Sequence, residues 1–322
     1  MGGLEFAQAA EIAKKIRENM ETVIVGKTEV ITLVLTALFA DGHVLLEDVP
    51  GTGKTMLAKS LARSIDASFN RIQFTPDLLP SDVTGLNYFN QKESEFQYRK
   101  GPIFANLILA DEINRATPRT QSSLLECMEE RQVTVDGEVR DMAAPFFLIA
   151  TQNPIEAAGT FPLPEAQLDR FLMRLTVGFP DRNGEMIMLN RFLKSDPLSE
   201  MQPVCSGDEV VNVQKKVRTV YVHQDVLGFL LEIVRKTRRD ESFLVGVSPR
   251  GSLALLRAAQ AYALISGRSF VTPDDVRKLA VPVLAHRVLL KNSWGSLEGA
   301  GGRIEALAAD VEVPTEDFSA AE

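Results

Sequence analysis

Cysteine is nearly absent from this chain: its 322 residues include two, Cys127 and Cys205, with no paired spacing. That excludes a disulfide framework and a cysteine-based zinc site, and it fits a reducing compartment. Histidine is almost as scarce. His43, His223 and His286 are scattered and form no ligand set, so each reads as structural or exposed. Positive charge is short too: 35 Lys and Arg stand against 43 Asp and Glu, a net charge of −8. That balance argues against a standing grip on nucleic acid, which needs cationic patches to displace counterions. Much of the excess is local, because residues 294–322 hold seven carboxylates against Arg303 alone. The basic run Arg235, Lys236, Arg238 and Arg239 reads as a solvated face or a subunit contact. The longest apolar run near the front, residues 30–40, is too short to span a bilayer and includes Thr32 and Thr36. Residues 1–20 carry interspersed charges on a helical pattern, unlike a signal peptide. The expectation is a cytoplasmic protein without membrane insertion.

What is present has two textures. Up to about residue 178, short β-type runs alternate with helical segments, the pattern of a parallel sheet with helices on both faces. Strands are expected at residues 43–46, 71–74, 107–110, 146–150 and 174–177. After Pro180 the strand signals stop and amphipathic helices take over. Ser206-Gly207-Asp208-Glu209 has capping-box spacing, and Ser248-Pro249 and Thr272-Pro273 each set a cap before a proline at the first helical position. After Ser248, the residues Leu253, Leu256, Ala259 or Ala261, Leu264 and Ile265 make one apolar face. Gly299-Ala300-Gly301-Gly302 is expected to break the pattern before a last short helix at 303–310. The expected architecture is an α/β core over residues 1–180, then a small helical domain over 181–322 with a short acidic tail.

The chemistry sits in the first half. Leu45-Leu46-Glu47-Asp48-Val49-Pro50-Gly51-Thr52-Gly53-Lys54-Thr55 runs from strand to loop to helix. Gly51 and Gly53 permit backbone conformations that turn several N–H groups toward one anion. The following helix, with Leu57, Leu61 and Ile65 inward, aims its positive end at the same point. Lys54 would reach the β- and γ-phosphates of ATP, and Thr55 would offer a hydroxyl to Mg²⁺. The first position of the GxxxxGK[ST] pattern is Asp48 here. The cradle uses the later glycines, so this departure touches only the loop's entry geometry. Further on, Leu107-Ile108-Leu109-Ala110-Asp111-Glu112 is an apolar strand ending in two acids. Asp111 would hold the Mg²⁺ shell, and Glu112 would orient the attacking water or take its proton. Cys127 beside Met128 reads as a small buried apolar residue, and Met186, Ile187, Met188 and Leu189 as ordinary helix-face material.

These residues resemble the AAA+ ATPases and, within them, the MoxR family. The resemblance rests on Asp111-Glu112-Ile113-Asn114-Arg115-Ala116-Thr117-Pro118, then Leu124-Leu125-Glu126 and Met128-Glu129-Glu130-Arg131-Gln132-Val133, and it covers roughly residues 20–315. It implies an αβα P-loop sandwich with a five-stranded parallel sheet and a helical lid, and nucleotide contact along Pro50, Gly51, Thr52, Gly53, Lys54, Thr55 and Met56. Phe147-Leu148-Ile149-Ala150-Thr151-Gln152-Asn153 resembles the sensor-1 strand, with Asn153 between phosphate and lytic water. Leu168-Asp169-Arg170-Phe171 resembles an arginine-finger segment, Arg174 being the rival to Arg170. Ser248-Pro249-Arg250 resembles sensor 2, with Arg250 reaching bound phosphate from the lid. Val23-Ile24-Val25-Gly26 resembles the segment that packs on adenine. Residues 131–140, around Asp136-Gly137, resemble the pre-sensor-1 hairpin. Residues 83–99, with Tyr88, Phe89, Phe96 and Tyr98, resemble the helix-2 insert. A finger acting across subunits implies a homo-oligomeric ring, hexameric in this class, or at least a head-to-tail array. The family further implies a chaperone-like ATPase that matures or activates other proteins alongside a von Willebrand factor A domain protein. A nucleic-acid-acting motor is the alternative. It should show basic or stacking residues in a ring pore, and Lys92, Arg99 and Lys100, offset by Glu93 and Glu95, supply little.

Overall fold

Helix α1 (Phe6–Glu21) buries Ala9, Ala13, Ile16 and Met20, a stripe at three- and four-residue spacing. Helix α2 (Thr28–Phe39) is apolar on most sides and is buried continuously over residues 34–39, so it lies between layers. Strand β1 (Val44–Glu47), buried throughout, leads through the glycine loop into α3 (Lys54–Ser64) and the two-residue β2 (Ile65–Asp66). Next come β3 (Phe69–Gln73), a short α4 (Pro80–Thr84), and a hairpin of β4 (Gly85–Asn90) with β5 (Glu95–Lys100). Strand β6 (Leu107–Asp111) returns to the core, followed by α5 (Pro118–Glu130), which opens on its proline. A second hairpin, β7 (Gln132–Val135) and β8 (Glu138–Asp141), precedes β9 (Phe147–Gln152), α6 (Glu165–Leu168) and β10 (Met173–Leu175). This computed structural model describes residues 5–154, 159–193, 195–291 and 297–314. The acidic end, residues 315–322, lies outside the described residues.

All five expected core strands pair into one wholly parallel sheet in the order β10-β1-β9-β6-β3. Its middle strands β1, β9 and β6 are near-continuous apolar runs, as both faces are covered by helices. The glycine loop and Asp111 both leave the carboxyl ends of parallel strands, so the topology alone brings them to one edge.

The second half holds α7 (Arg182–Phe192), α8 (Pro197–Glu200), β11 (Cys205–Ser206), α9 (Gly207–Val217), α10 (Gln224–Arg239), β12 (Phe243–Val245), α11 (Pro249–Ile265), α12 (Pro273–Leu284), β13 (Leu289–Leu290) and α13 (Leu297–Ala309). The expected caps are in place: Ser206, Ser248 and Thr272 each accept from the backbone N–H three residues on. Three expectations are corrected. Strands do not stop at Pro180, since β11 pairs with β2 and β12 with β13; at two or three residues they are too short to show alternation. Gly299, Gly301 and Gly302 do not interrupt the last helix. A Cβ on Gly301 would sit 3.3 Å from Val281, so small residues let α13 approach α12, and burial of Ala300, Ile304 and Ala308 outweighs a propensity cost of about 1 kcal/mol per glycine. On α11 the expected face holds at Ala259, Ala261 and Leu264, which are buried, but Leu253 is exposed and Leu255 is buried in its stead. Helix α2 packs on α9 and α11, and one apolar cluster runs from Ala9 to Val311, while a second, from Leu45 to Phe171, lies within the first half.

Candidate nucleotide site

At the loop, Gly51 and Gly53 take φ of 86° and 90°, the left-handed region that favours glycine. No atom lies within 4 Å of where a Cβ would stand at either position, so the requirement is conformational and the concave side of the loop is open. Helix α3 begins at Lys54, with Thr55 and Met56 in its first turn. Lys54 Nζ donates to the carbonyl oxygens of Asp48 (2.7 Å) and Val49 (2.9 Å). Burial is the main cause of its lowered pKa, against the opposing pull of Asp48, Asp111 and Glu112. A polyphosphate entering the loop would offer this cation stronger acceptors than two carbonyls. Asp48, the residue that departs from the common pattern, is buried and fully used. Its Oδ1 accepts from Val49 N (2.8 Å), and its Oδ2 from Val177 N (3.0 Å) and Gly178 N (2.6 Å). The loop's entry is thereby tied to the chain leaving β10.

The two acids are held differently. Asp111 Oδ2 accepts from Arg71 Nη2 (2.6 Å) and Nε (3.1 Å), and Oδ1 accepts from the Thr151 hydroxyl (2.6 Å). Glu112 stands just past the strand at φ 58°, an uncommon conformation for a non-glycine residue. Its N–H donates to Thr151 Oγ1 (2.8 Å), while its carboxylate accepts from Gln73 Nε2 (2.9 Å) and pairs with Arg115 (3.1 Å). Asn153 follows β9 at the same edge and is buried. The carboxylate and hydroxyl of Asp111 and Thr55 are hard oxygen donors that fit Mg²⁺, which would compete with Arg71 for Asp111 Oδ2. Arg71 and Gln73 escaped the sequence reading. They are two residues apart on β3, hence on one face, and only the pairing of β3 with β6 sets them beside the acids.

Beside the loop lies a cavity of about 410 Å³ lined by Val23, Ile24, Val25, Gly53, Met56 and, from the second half, Phe179, Met188 and Phe192. Its walls are mostly apolar and it adjoins the glycine loop, surroundings that would suit an adenine ring. The expected adenine segment thus contributes Val23, Ile24 and Val25 to the lining, and Gly26 (φ 71°) turns the chain beside the cavity. Pro50 lies on the exposed side of the loop. Met188 corrects the reading of residues 186–189 as plain helix face: Met186, Ile187 and Leu189 are exposed, and Met188 forms part of the cavity wall.

A model of the ATPase family associated with various cellular activities (AAA) matches residues 43–173, and one of the AAA lid domain matches residues 235–301. The chain is 51% identical over 304 residues to the YeaC protein of Bacillus subtilis, covering 94% of this chain and 95% of that one. It is 40% identical over 300 residues to Chaperone MoxR1 of Mycobacterium tuberculosis, covering 90% and 79%. The crystal structure of a candidate ATPase from Cytophaga hutchinsonii matches with a TM-score of 0.86 at 35% identity, covering 95% of this chain and 96% of that one. The chain belongs to the MoxR family of AAA+ ATPases.

In this MoxR chain the arginines stand at the other edge of the sheet. Asp169 and Arg170 precede β10, and Leu172 N donates to His43 O (2.8 Å) just before β1. The glycine loop follows β1, one strand length away, roughly 13 Å for four residues. Arg170 Nε pairs with Glu129 Oε2 (3.2 Å), and Arg250 Nη1 pairs with Glu129 Oε1 (3.1 Å). Both line a cavity of about 540 Å³ that also receives Arg257 and Arg287 and reaches Gly42. Folding thus sets Arg250 with Arg170, in a cavity that no residue of the glycine loop lines. The rival Arg174 is half-buried and pairs with Glu47 on the neighbouring strand.

The two insertions are also hairpins side by side. Asp136 (φ 51°) and Gly137 (φ 84°) make the tight turn of the second, as the Asp-Gly signal predicts. Asn87 Nδ2 donates to Asp136 Oδ2 (2.7 Å), joining it to the first. The first occupies residues 85–100; Val83, inside the expected 83–99 segment, belongs to the core. Tyr98 packs locally under the Arg140 guanidinium (3.8 Å from the ring centre), whereas Phe89 and Phe96 meet edge to face across the strands and are 51% and 74% exposed.

Proposed function

We propose that this MoxR chain is a Mg²⁺-dependent ATP hydrolase working as a homo-oligomeric ring, taken as hexameric, in the cytoplasm, where turnover remodels, matures or activates partner proteins. Residues 1–180 would form the nucleotide-binding core and 181–322 the lid. ATP would lie with its adenine among Val25, Gly26 and Met56 and its phosphates on the N–H groups of residues 51–55, with Lys54 turned toward them. Thr55 and Asp111 would hold Mg²⁺, which when bound neutralises charge on the phosphate oxygens. Glu112, released from Gln73, takes the proton of the attacking water, and Asn153 orients that water. Arg170 and Arg250 of a neighbouring subunit neutralise charge developing on the γ-phosphate.

The observation that carries this reading is the split of one catalytic set between two edges of the sheet. Loop, acids and Asn153 share one edge, while Arg170 and Arg250 share the other, an arrangement that a second copy would bring together. The exposed Phe89–Phe96 pair, on a chain with little basic surface, favours gripping protein over nucleic acid. Family kinship with a named chaperone points the same way, and a von Willebrand factor A domain protein is the proposed companion. The test is Glu112→Gln. It should still bind ATP while turnover falls about a hundredfold or more, because an amide cannot accept the proton. Turnover near the unmodified rate would remove Glu112 from the role. A pull-down with this ATP-locked variant should recover a von Willebrand factor A type protein; recovery of nucleic acid instead would overturn the remodelling role.

A further inference from the structure

The segment carrying Arg170 is held by the lid. Arg287 lies in the short 3₁₀ turn Ala285–Arg287 after α12, and its side chain is 3% exposed. Its Nε donates to Asp169 Oδ1 (2.6 Å). Its Nη2 donates to Phe171 O (2.6 Å) and Asp169 O (3.1 Å), and its Nη1 to Leu172 O (3.1 Å) and to Val283 O on its own helix. The carbonyls and carboxylate of residues 169–172, the stretch that includes Arg170, thus take most of the donors of one buried guanidinium. Asp169 Oδ2 also faces the hydroxyl of Ser248 (3.5 Å), the cap of α11, and Arg250 stands two residues further on. Arg170 and Arg250 then converge on Glu129 from the two sides of this knot.

A fork of five N–H groups at fixed angles can define the position of a short loop in a way a single ammonium cannot. Taking a guanidinium out of water is costly unless every donor is met, so the arrangement has one satisfactory geometry and resists small displacements. Gly251 leaves it room, since a Cβ there would stand 3.0 Å from Arg287 Cδ and 2.4 Å from Val247 Cγ1.

We propose that Arg287, through Asp169, is a positioning residue for Arg170, so that the lid of one subunit sets the hydrolysis rate at the nucleotide of the next. The inference rests on the reading that Arg170 serves a neighbour's site. It adds that the finger's position is dictated by its own lid, which couples successive sites around a ring.

The test uses the full chain carrying Arg287→Lys and, separately, Asp169→Asn, the second being the milder change should the first disturb folding. Each is expected to bind ATP within about twofold of the unmodified chain and to lose about tenfold or more in kcat, with little change in KM, the pattern of an interaction made only in the transition state. Each should regain turnover when mixed with Lys54→Ala, whose subunits bind no ATP but present a correctly held Arg170. A merely structural role would not produce that recovery. A mixture of Arg170→Ala with Lys54→Ala is run beside them. If that control recovers and the Arg287 and Asp169 variants do not, the positioning role is overturned while the shared site stands. Unchanged kcat in both variants overturns it as well. If the control itself fails in assemblies shown to mix, the shared site falls and takes the inference with it.

Discussion

Asp48 shows how much one side chain can do where a motif predicts glycine. Its carboxylate satisfies the N–H groups of Val177 and Gly178, which would otherwise be buried without acceptors. Asp48→Ala is therefore expected to destabilise the fold by about 1–3 kcal/mol, and Asp48→Asn, which keeps one acceptor oxygen, by less. Denaturant unfolding measures both, and an Ala variant as stable as the parent would refute the tie. The cysteines give a second check. Burial pushes the thiols of Cys127 and Cys205 up to about 12, so both are protonated at pH 8, where the thiolate is the reactive form. A thiol reagent at pH 8 should label neither in the native chain and both after unfolding. Lys54, Thr55, Asp111 and Glu112 stood out as candidates because glycine spacing and an apolar run ending in two acids are patterns a few residues long. Asp48's role did not, since its acceptor duty is to N–H groups 129 and 130 residues later.

The elements divide between those that carry the core and those that project from it. The hairpin of β4 and β5 presents Phe89 and Phe96 to solvent, paired with each other and with little else. Replacing both by Ala should change stability by less than about 1 kcal/mol, because an exposed cross-strand aromatic pair contributes roughly that much. The same change should weaken recovery of the partner protein by the Glu112→Gln form. A large loss of stability would mean the pair belongs to the fold and not to a docking surface. Helix α7 is the element least predictable from pattern. Gly184 is its sole buried residue, its apolar side chains are largely open, and it nonetheless contributes Met188 and Phe192 to the wall beside the loop. Alternation and periodicity report burial within a chain. They are silent about side chains kept apolar for a ligand or for another subunit.

At the scale of the whole molecule, the proposed sharing of a site between the glycine loop of one subunit and Arg170 of the next would make activity a property of the assembly. Turnover per subunit should fall on dilution below the association range, and Arg170→Ala should bind ATP yet lose about a thousandfold at full assembly, the range for a finger supplied by a partner. Arg174→Ala should act differently. It strands Glu47 as an uncompensated buried charge, so the loss should appear in stability, at about 3–5 kcal/mol, rather than as a defect that mixing with Lys54→Ala repairs.

By itself the sequence determined what local rules control: five strands by their apolar runs, the strand-to-helix loop by its glycines, helix starts by caps, and the Asp-Gly turn by its backbone angles. Tertiary structure alone decided what depends on distant segments meeting. It placed Arg71 and Gln73 on the two acids, gave Asp48 its partners, joined α1 and α2 to the helices of the second half in one apolar cluster, and set Arg250 with Arg170 on Glu129. The physical reason is range. Backbone conformation is set by neighbours a few residues apart, whereas charge pairing and burial act through space and become defined only once the sheet order and the helix packing bring far parts of the chain together.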